Sequence, residues 1–290
     1  MDIQKISIVT PSFNQAKYLE ETIQSVLGQN YPNLEYIIID GGSTDGSVEI
    51  IKKYENHLAY WISEPDNGMY HAIQKGFDKS TGDIMAWINS DDMYHPRALF
   101  TVAEIFNSFG SVNWLQGLTT IFDESGRTVE AYKSRIFTKF DFYNADYGFI
   151  QQESTFWRRS LWERTGASLD CSLLYAGDFA LWLKFFSSDK LYVTNALIGG
   201  FRMRSSNQLS LDFRKEYIEE IEKKLEAINL NKEEKHILRR YKRFLGIAGF
   251  IQRLKIFRTD WIITRYRKKY FDVPPRIEFN QFLQKFELRD

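Results

Sequence analysis

Four places in the sequence put carboxylates where chemistry could use them: Asp40 at the end of LEYIIID, Asp66 in SEPDNG, Asp91-Asp92 in WINSDD, and Asp178 in YAGDFALWLKF. The adjacent pair poses the sharpest problem. DIMAWIN (83–89) is apolar enough for a core strand, yet it runs straight into Asn89-Ser90-Asp91-Asp92. Neighbouring carboxylates repel, and apolar surroundings raise the cost of ionising both. Such a pair is either solvated in a loop or has positive charge between its members.

The elements that must position these residues alternate. KISIVTP (5–11) reads as a strand ending at Pro11, and AKYLEETIQSVLGQ (16–29) carries Tyr18, Leu19, Ile23, Val26 and Leu27 at helical spacing before Gly28. LEYIIID (34–40) is a second strand, followed by Gly41-Gly42 and a helix opened by Ser43-Thr44-Asp45 and running to about Tyr54. LAYWISE (58–64) is a third strand, MYHAIQKGFDKS (69–80) a third helix and DIMAWIN a fourth strand. Strands separated by helices predict a mostly parallel α/β sheet. Ligands of such sheets bind outside the carboxyl ends of the strands. Asp40, the polar turn after Ile62, and Asp91-Asp92 all follow strands, so they gather along one edge. Farther on, VNWLQGLTTIF (112–122) and TVEAYKS (128–134) read as strands, FWRRSLWERTG (156–166) and YAGDFALWLKFFSS (175–188) as helices. SSNQLSLD (205–212) breaks the pattern and divides a domain of residues 1–210 from a charged helical extension of 211–290.

The composition excludes several classes. Lys plus Arg equals Asp plus Glu at 38 each, so net charge points to no partner. The single cysteine, Cys171, excludes an intrachain disulfide and a cysteine-rich zinc site, and fits a reducing compartment. MDIQKISIVTPSF lacks the basic start and apolar run of a signal peptide. No apolar window approaches the roughly 20 residues of a membrane-spanning helix. The expectation is a cytoplasmic protein, free or lying on the inner face of the plasma membrane. Aromatic residues make up 16% of the chain, which predicts a core or groove rich in rings.

SIVTPSFNQAKYLEETIQSVLGQNYPNLEYIIIDGGSTDGS, followed by SEPDNGMYHAIQKG, INSDD and YAGDFALWLKF, resembles the family 2 glycosyltransferases of the GT-A fold over residues 5 to 205. The resemblance implies a Rossmann-like sheet and transfer of a sugar, with inversion, from a nucleoside diphosphate donor assisted by Mn²⁺ or Mg²⁺. It implies metal ligation by Asp91 with Asp92 beside it, hard oxygen ligands suiting such a cation. The family often has Asp where this chain has Asn89, so Asn89 and Ser90 would contact the donor without adding charge. Asp40 takes the place of the residue that hydrogen-bonds the base, and Thr10, Pro11, Ser12, Phe13 and Asn14 the loop lining the nucleoside pocket. Asp66 and Lys75 would reach the nucleotide, and Arg204 would pair with the diphosphate. Gln151 and Gln152 take the acceptor side. Asp178 corresponds to the acid before the Leu-Trp-Leu pattern, implied as the general base that an acceptor hydroxyl needs. A helix N-terminus there favours its anion while apolar neighbours disfavour it. Gly177 replaces an acidic residue frequent at that position.

Residues 235–270 carry twelve Lys or Arg against one acid, Asp260, with Phe244, Ile247, Ile251, Leu254, Phe257 and Trp261 interleaved. This reads either as a helical pair packed on the catalytic domain or as a surface for an anionic membrane, where a lipid-linked glycan acceptor would be met. Nucleic acid is not expected, since nothing else in the sequence supports it. A non-catalytic binder of a nucleotide-sugar or glycan is the rival reading, favoured by Asn89 and Gly177. A nucleotidyltransferase is disfavoured, because SIVTPSFNQAKYL has no Gly-rich basic loop for a triphosphate.

Overall fold

The computed structural model describes residues 3–145, 150–205, 208, 212–253 and 260–289. The first half is laid down as β1 (Ile6–Ser12), α1 (Ala16–Leu27), β2 (Leu34–Asp40), α2 (Ser47–Tyr54), β3 (Tyr60–Ser63), α3 (Met69–Lys79) and β4 (Ile84–Trp87). These strands pair in parallel, β1 lying between β2 and β4 and β2 beside β3. The register sets Ser12 beside Asp40 and Asp40 beside Ser63, so the carboxyl ends form one edge, as the alternation predicts. Beyond the turn after β4 come β5 (Met93–Tyr94), α4 (Ala98–Ser108), β6 (Trp114–Gln116), β7 (Thr119–Phe122), β8 (Thr128–Tyr132) and α5 (Lys139–Tyr143). There follow β9 (Thr155–Arg158), α6 (Arg159–Arg164), α7 (Gly177–Ser188), β10 (Tyr192–Val193) and β11 (Gly199–Arg202).

The main sheet runs β10-β6-β9-β4-β1-β2-β3, and a smaller one β5-β11-β7-β8. Two expectations change. The segment 112–122 is two strands, because the chain turns at Gly117, where a side chain would collide with Ile198. FWRRSLWERTG is helical only from Arg159, because Thr155–Arg158 is a buried strand inserted antiparallel between β4 and β6. Periodicity alone does not separate a short buried strand from a buried helical turn.

The aromatic residues fill the core more than any groove. Trp87 stacks on Trp182 at 5.9 Å, Trp182 on Trp114 at 5.2 Å, and Trp157 meets Trp87 edge-on at 5.6 Å. These rings fasten α7 to the middle of the sheet and thereby fix the height of its first turn.

The C-terminal part comprises α8 (Arg214–Glu226), α9 (Lys232–Arg253), α10 (Asp260–Tyr270), β12 (Arg276–Asn280) and β13 (Lys285–Arg289). The break at 205–212 lies mostly outside the described residues. The helical extension ends sooner than expected, at Tyr270, since 276–289 is an antiparallel hairpin. That hairpin is no appendage: Ile277 and Phe286 are buried in the core with Ile6, Leu99 and Leu115. Helices α9 and α10 are tied down through Asp141, a fully buried carboxylate on α5. It accepts from Arg267 Nη2 at 2.6 Å and Tyr241 Oη at 3.1 Å, and Arg135 Nη2 lies 3.3 Å away. Removing one partner of a buried ion pair strands the other. Asp141→Ala should therefore lower unfolding stability by about 3 kcal/mol or more and make α9 and α10 protease-sensitive. Unchanged denaturant midpoint and proteolysis would show that ring contacts alone hold the helices.

Candidate active site

The turn after β4 resolves the problem of the adjacent acids by separating them. Asp92 turns inward and is fully buried, its carboxylate accepting from the Arg202 backbone N–H at 2.8 Å and from Asn89 Nδ2 at 3.1 Å. Burial, followed by the charges of Asp91 and Glu153, pushes this carboxyl well above the usual carboxylate range. Asp91 sits nearer the surface, its Oδ2 3.1 Å from Arg204 Nε. Burial raises its pKa, and Arg204 followed by Arg202 draws it back. Strand β11 supplies one cation, Arg202, and the residues just after it supply Arg204. Arg202 is itself fully buried, bonding the Asp91 carbonyl at 2.6 Å and Glu21 Oε2 at 2.6 Å. Ser90 is buried in the turn.

The expected pairing of Asp91 and Asp92 on one metal does not match this arrangement, because both Asp92 oxygens are engaged inside the protein. Among the described residues no three His, Cys, Asp or Glu side chains stand close enough to hold an ion. Asp91 alone fits, since a hard cation between phosphates takes few ligands from protein. Arg204 already faces one of its oxygens, so a cation there would share the carboxylate with that guanidinium.

At the carboxyl end of β2, Asp40 is fully buried and heavily committed. Its carboxylate accepts from Ser43 Oγ at 2.6 Å, Ser63 Oγ at 2.7 Å, Ser43 N at 2.8 Å and Gly42 N at 3.1 Å. Asn14, at φ 50°, ties the loop after β1 to that turn through Ser43 Oγ (2.8 Å) and Thr44 N (2.9 Å). Thr10 and Pro11 are buried within β1, Thr10 Oγ1 lying against Tyr36 Oη, so neither faces a ligand. Phe13 is exposed, while Ser12 Oγ is buried without a partner among the described residues. A Cβ on Gly41 would meet Asp66 Oδ2 at 3.0 Å and the Phe13 ring at 3.2 Å, so a side chain there would crowd both. Asp66 also accepts from Gly68 N at 2.8 Å. Lys75 is ion-paired with Glu64 rather than turned to a ligand.

Gln151 and Gln152 are likewise not presented to an acceptor. Gln151 exchanges two hydrogen bonds with the Thr120 backbone, at 3.0 and 2.6 Å. Gln152 Nε2 donates to the Trp87 carbonyl at 2.6 Å. Both side chains are buried, bracing the end of β4 and the start of β7.

Asp178 sits in the first turn of α7, where its Oδ1 accepts from Phe179 N at 2.7 Å. The opposed effects on its carboxyl resolve in favour of burial, which pushes it up to about 6 against the pull of the backbone N–H groups. Gly177 has a steric reason. A Cβ there would stand 2.7 Å from the Tyr70 ring, whose Oη donates to the Tyr175 carbonyl at 2.7 Å and reaches Asp178 Oδ1 at 3.5 Å. Glu220 of α8 accepts the backbone N–H groups of Leu174, Tyr175 and Ala176 at 2.8–3.0 Å. The extension thus grips the residues leading into Asp178.

Sequence reasoning missed Glu153. It is 5% exposed, and among the described residues its carboxyl has no hydrogen bond or ion pair with another side chain or with any backbone group but its own. Burial first, then the fields of Asp91 and Asp178, pushes it up to about 8. An acid directly before the buried run STFW was the available signal. Because its folded pKa exceeds the ordinary 4.5, the native state binds the extra proton across pH 4.5 to about 8. Wild-type stability therefore falls as pH rises through that window. Glu153→Gln escapes this loss, so its melting-temperature gain over wild type should be near zero at pH 4.5 and grow to several degrees by pH 8. A gain independent of pH would refute the burial of an ionisable acid here.

The profile of Glycosyl transferase family 2 matches residues 7–173. The chain is 37% identical over 114 residues to an uncharacterised glycosyltransferase of Mycobacterium tuberculosis, covering 39% of this chain and 44% of that one. It is 37% identical over 94 residues to the putative teichuronic acid biosynthesis glycosyltransferase TuaG of Bacillus subtilis, covering 31% and 36%. It therefore spans under half the length of these relatives. Among solved structures it is similar to Staphylococcus aureus TarS 1–349 in complex with UDP-GlcNAc, at TM-score 0.63 and 19% identity over 88% of this chain and 74% of that one. The Pyrobaculum calidifontis mannosyltransferase PcManGT, in complex with GDP-Man and Mn²⁺, gives 0.61 and 18% over 81% and 68%. With a matched region that takes in β1 through the Asp91 turn to β9, and a sheet of the same architecture, the chain belongs to glycosyl transferase family 2 and has the GT-A fold.

Proposed function

We propose that the protein transfers a sugar from a nucleoside diphosphate donor, a UDP-sugar first, to a hydroxyl of a glycan or lipid-linked glycan, with inversion. The carrying observation is Asp178, a carboxyl at about 6 on a braced helix turn at the edge of the site. A general base works best with a pKa near the working pH. Asp178 takes the acceptor hydroxyl proton as that oxygen bonds the anomeric carbon, and the bond to the diphosphate breaks on the opposite face. Arg204, already at Asp91, pairs with the diphosphate oxygens. A divalent cation bound at Asp91 would neutralise charge on the leaving group. Phe13 and Asp66 flank the base, with Asp40 shaping the turn beneath it. The UDP preference and the glycan acceptor rest on similarity to TarS with UDP-GlcNAc and to TuaG.

In this reading Asp178→Asn lowers kcat by about 10² or more while donor binding is retained. The wild-type kcat/KM should rise with pH up to about 6 and level off above, since only the ionised carboxylate accepts a proton. Calorimetric titration with UDP, GDP and dTDP, in Mn²⁺ and then EDTA, names the base and tests Asp91. Tight nucleotide binding with no donor hydrolysis or transfer in wild type would favour the non-catalytic reading instead.

Association with an anionic membrane belongs to the same proposal. Ile247, Phe250 and Trp261 are 60–63% exposed on α9 and α10, beside Arg243, Arg253 and Arg265. The helices are paired by Phe244 stacking on Tyr266 at 4.1 Å, so their outer faces move together. No helix among the described residues is long and apolar enough to cross a membrane. Phe250→Ser with Trp261→Ser should reduce co-sedimentation with phosphatidylglycerol vesicles several-fold without altering UDP binding. Equal retention on neutral phosphatidylcholine would remove the charge argument.

A further inference from the structure

Residues 135–136, helix α10, the turn 273–275 and the C-terminal hairpin line an open concavity of about 580 Å³. Arg135, Arg267, Lys268, Arg276 and Arg289 line it, and no acidic residue does among those described. Two guanidinium groups are held rigidly, each with one nitrogen sealed from solvent. Arg276 Nη2 donates to the Ser134 carbonyl at 2.7 Å, while its Nη1 is buried without a partner among the described residues. Arg267 Nη2 bonds the Ile136 carbonyl and Asp141 at 2.6 Å each, yet its Nε is likewise unsatisfied. A buried donor without an acceptor is costly.

The hairpin register supplies an independent observation. Arg276 stands directly opposite Arg289 across β12 and β13. Like charges in that relation destabilise a strand pair. Glu278 lies 3.7 Å from Arg289 and its charge also reaches Arg276, but it is shared with Lys133 and Asn195. Asp141 is already engaged by Arg267 and Tyr241. The cations therefore outnumber the anions that face them, within a concavity large enough for a ligand.

We propose that this cavity binds a phosphate-class anion, a monophosphate or diphosphate group held between Arg276, Arg289 and Arg267. A single carboxylate would leave most of the positive charge uncompensated, and planar guanidinium forks match phosphate oxygens. None of the lining residues belongs to the Asp91, Asp40 or Asp178 constellation, so this site is separate from the donor cleft. The phosphate comes from a lipid headgroup or from a soluble compound.

The test is calorimetric titration of the full chain with inorganic pyrophosphate, in EDTA and saturating UDP. Wild type should bind, and Arg289→Gln and Arg276→Gln/Arg289→Gln should weaken binding at least about tenfold with UDP affinity unchanged. In phosphate-free buffer Arg289→Gln should melt above wild type, and pyrophosphate should raise the melting temperature of wild type only. That pattern would not arise if Arg289 merely supported the hairpin. Vesicles of phosphatidylcholine with phosphatidic acid separate the sources. Retention lost in Arg289→Gln and competed by pyrophosphate assigns a headgroup, whereas unchanged retention with pyrophosphate binding assigns a soluble phosphate. Absence of pyrophosphate binding to wild type, or equal binding by the variants, overturns the proposal. Neither result depends on glycosyl transfer, which the donor titrations test by themselves.

Discussion

Negative charge buried at the carboxyl end of β4 is the constraint around which the rest of this structure is arranged. Asp91, Asp92, Glu153 and Asp178 act on one another through an interior that water screens poorly, and burial raises every one of them. Two devices keep the cluster foldable. Protons remain on the most buried members far above their ordinary range, and β11 and the residues just after it place Arg202 behind and Arg204 beside Asp91. Arg202 needs its own support, from Glu21 and the Glu124 carbonyl, which explains why β11 is paired between β5 and β7. The smaller sheet exists at this place to deliver cations to acids that the larger sheet exposes.

The second half of the site depends on exclusion of volume. Tyr70 occupies the space a side chain at position 177 would need, and its hydroxyl ends at the Tyr175 carbonyl. No side chain has room at that position. What the chain offers instead is Glu220, reaching from α8 to the three backbone N–H groups before α7. A negative group near the start of a helix is favourable to that helix, and here it also adds to the field that keeps Asp178 protonated at low pH. The extension is therefore part of the machinery that sets the geometry and basicity of Asp178.

Much of the β1 to β4 half was legible because parallel strands buried on both faces leave continuous apolar runs, and the acids at their ends are short-range signals. What escaped was set by side chains distant in sequence. Asp92 could not be told from Asp91 without knowing that the Arg202 backbone N–H lies behind it. Gln151 and Gln152 sit where an acceptor-side reading put them along the chain, but the edge of β7 takes one and the end of β4 the other. Glu153 gave only a weak cue, an acid before STFW, since its environment is made by β4, β5 and β11. The hairpin at 276–289 was hidden by the charged helices before it. Its buried residues, Ile277 and Phe286, are few, and their contacts lie in the N-terminal half.

Net charge near zero conceals a segregation with mechanical consequences. The acids of the candidate site are interior, while the described Lys and Arg of α9 and α10 lie largely on outer helix faces. These two populations are joined rigidly by Asp141 to α9 and α10, by Glu220 to α7, and by Ile277 and Phe286 to the sheet core. A flexible tether would let the basic helices bind any anionic surface in any orientation relative to Asp178. With three independent anchors that freedom is lost, since each crosses the extension to a different layer of the catalytic domain. An anionic surface meeting the basic helices would then face the cleft at one fixed angle. For a substrate tethered to such a surface, the entropy of orienting it is met before the donor binds, which is what positioning contributes to a two-substrate reaction.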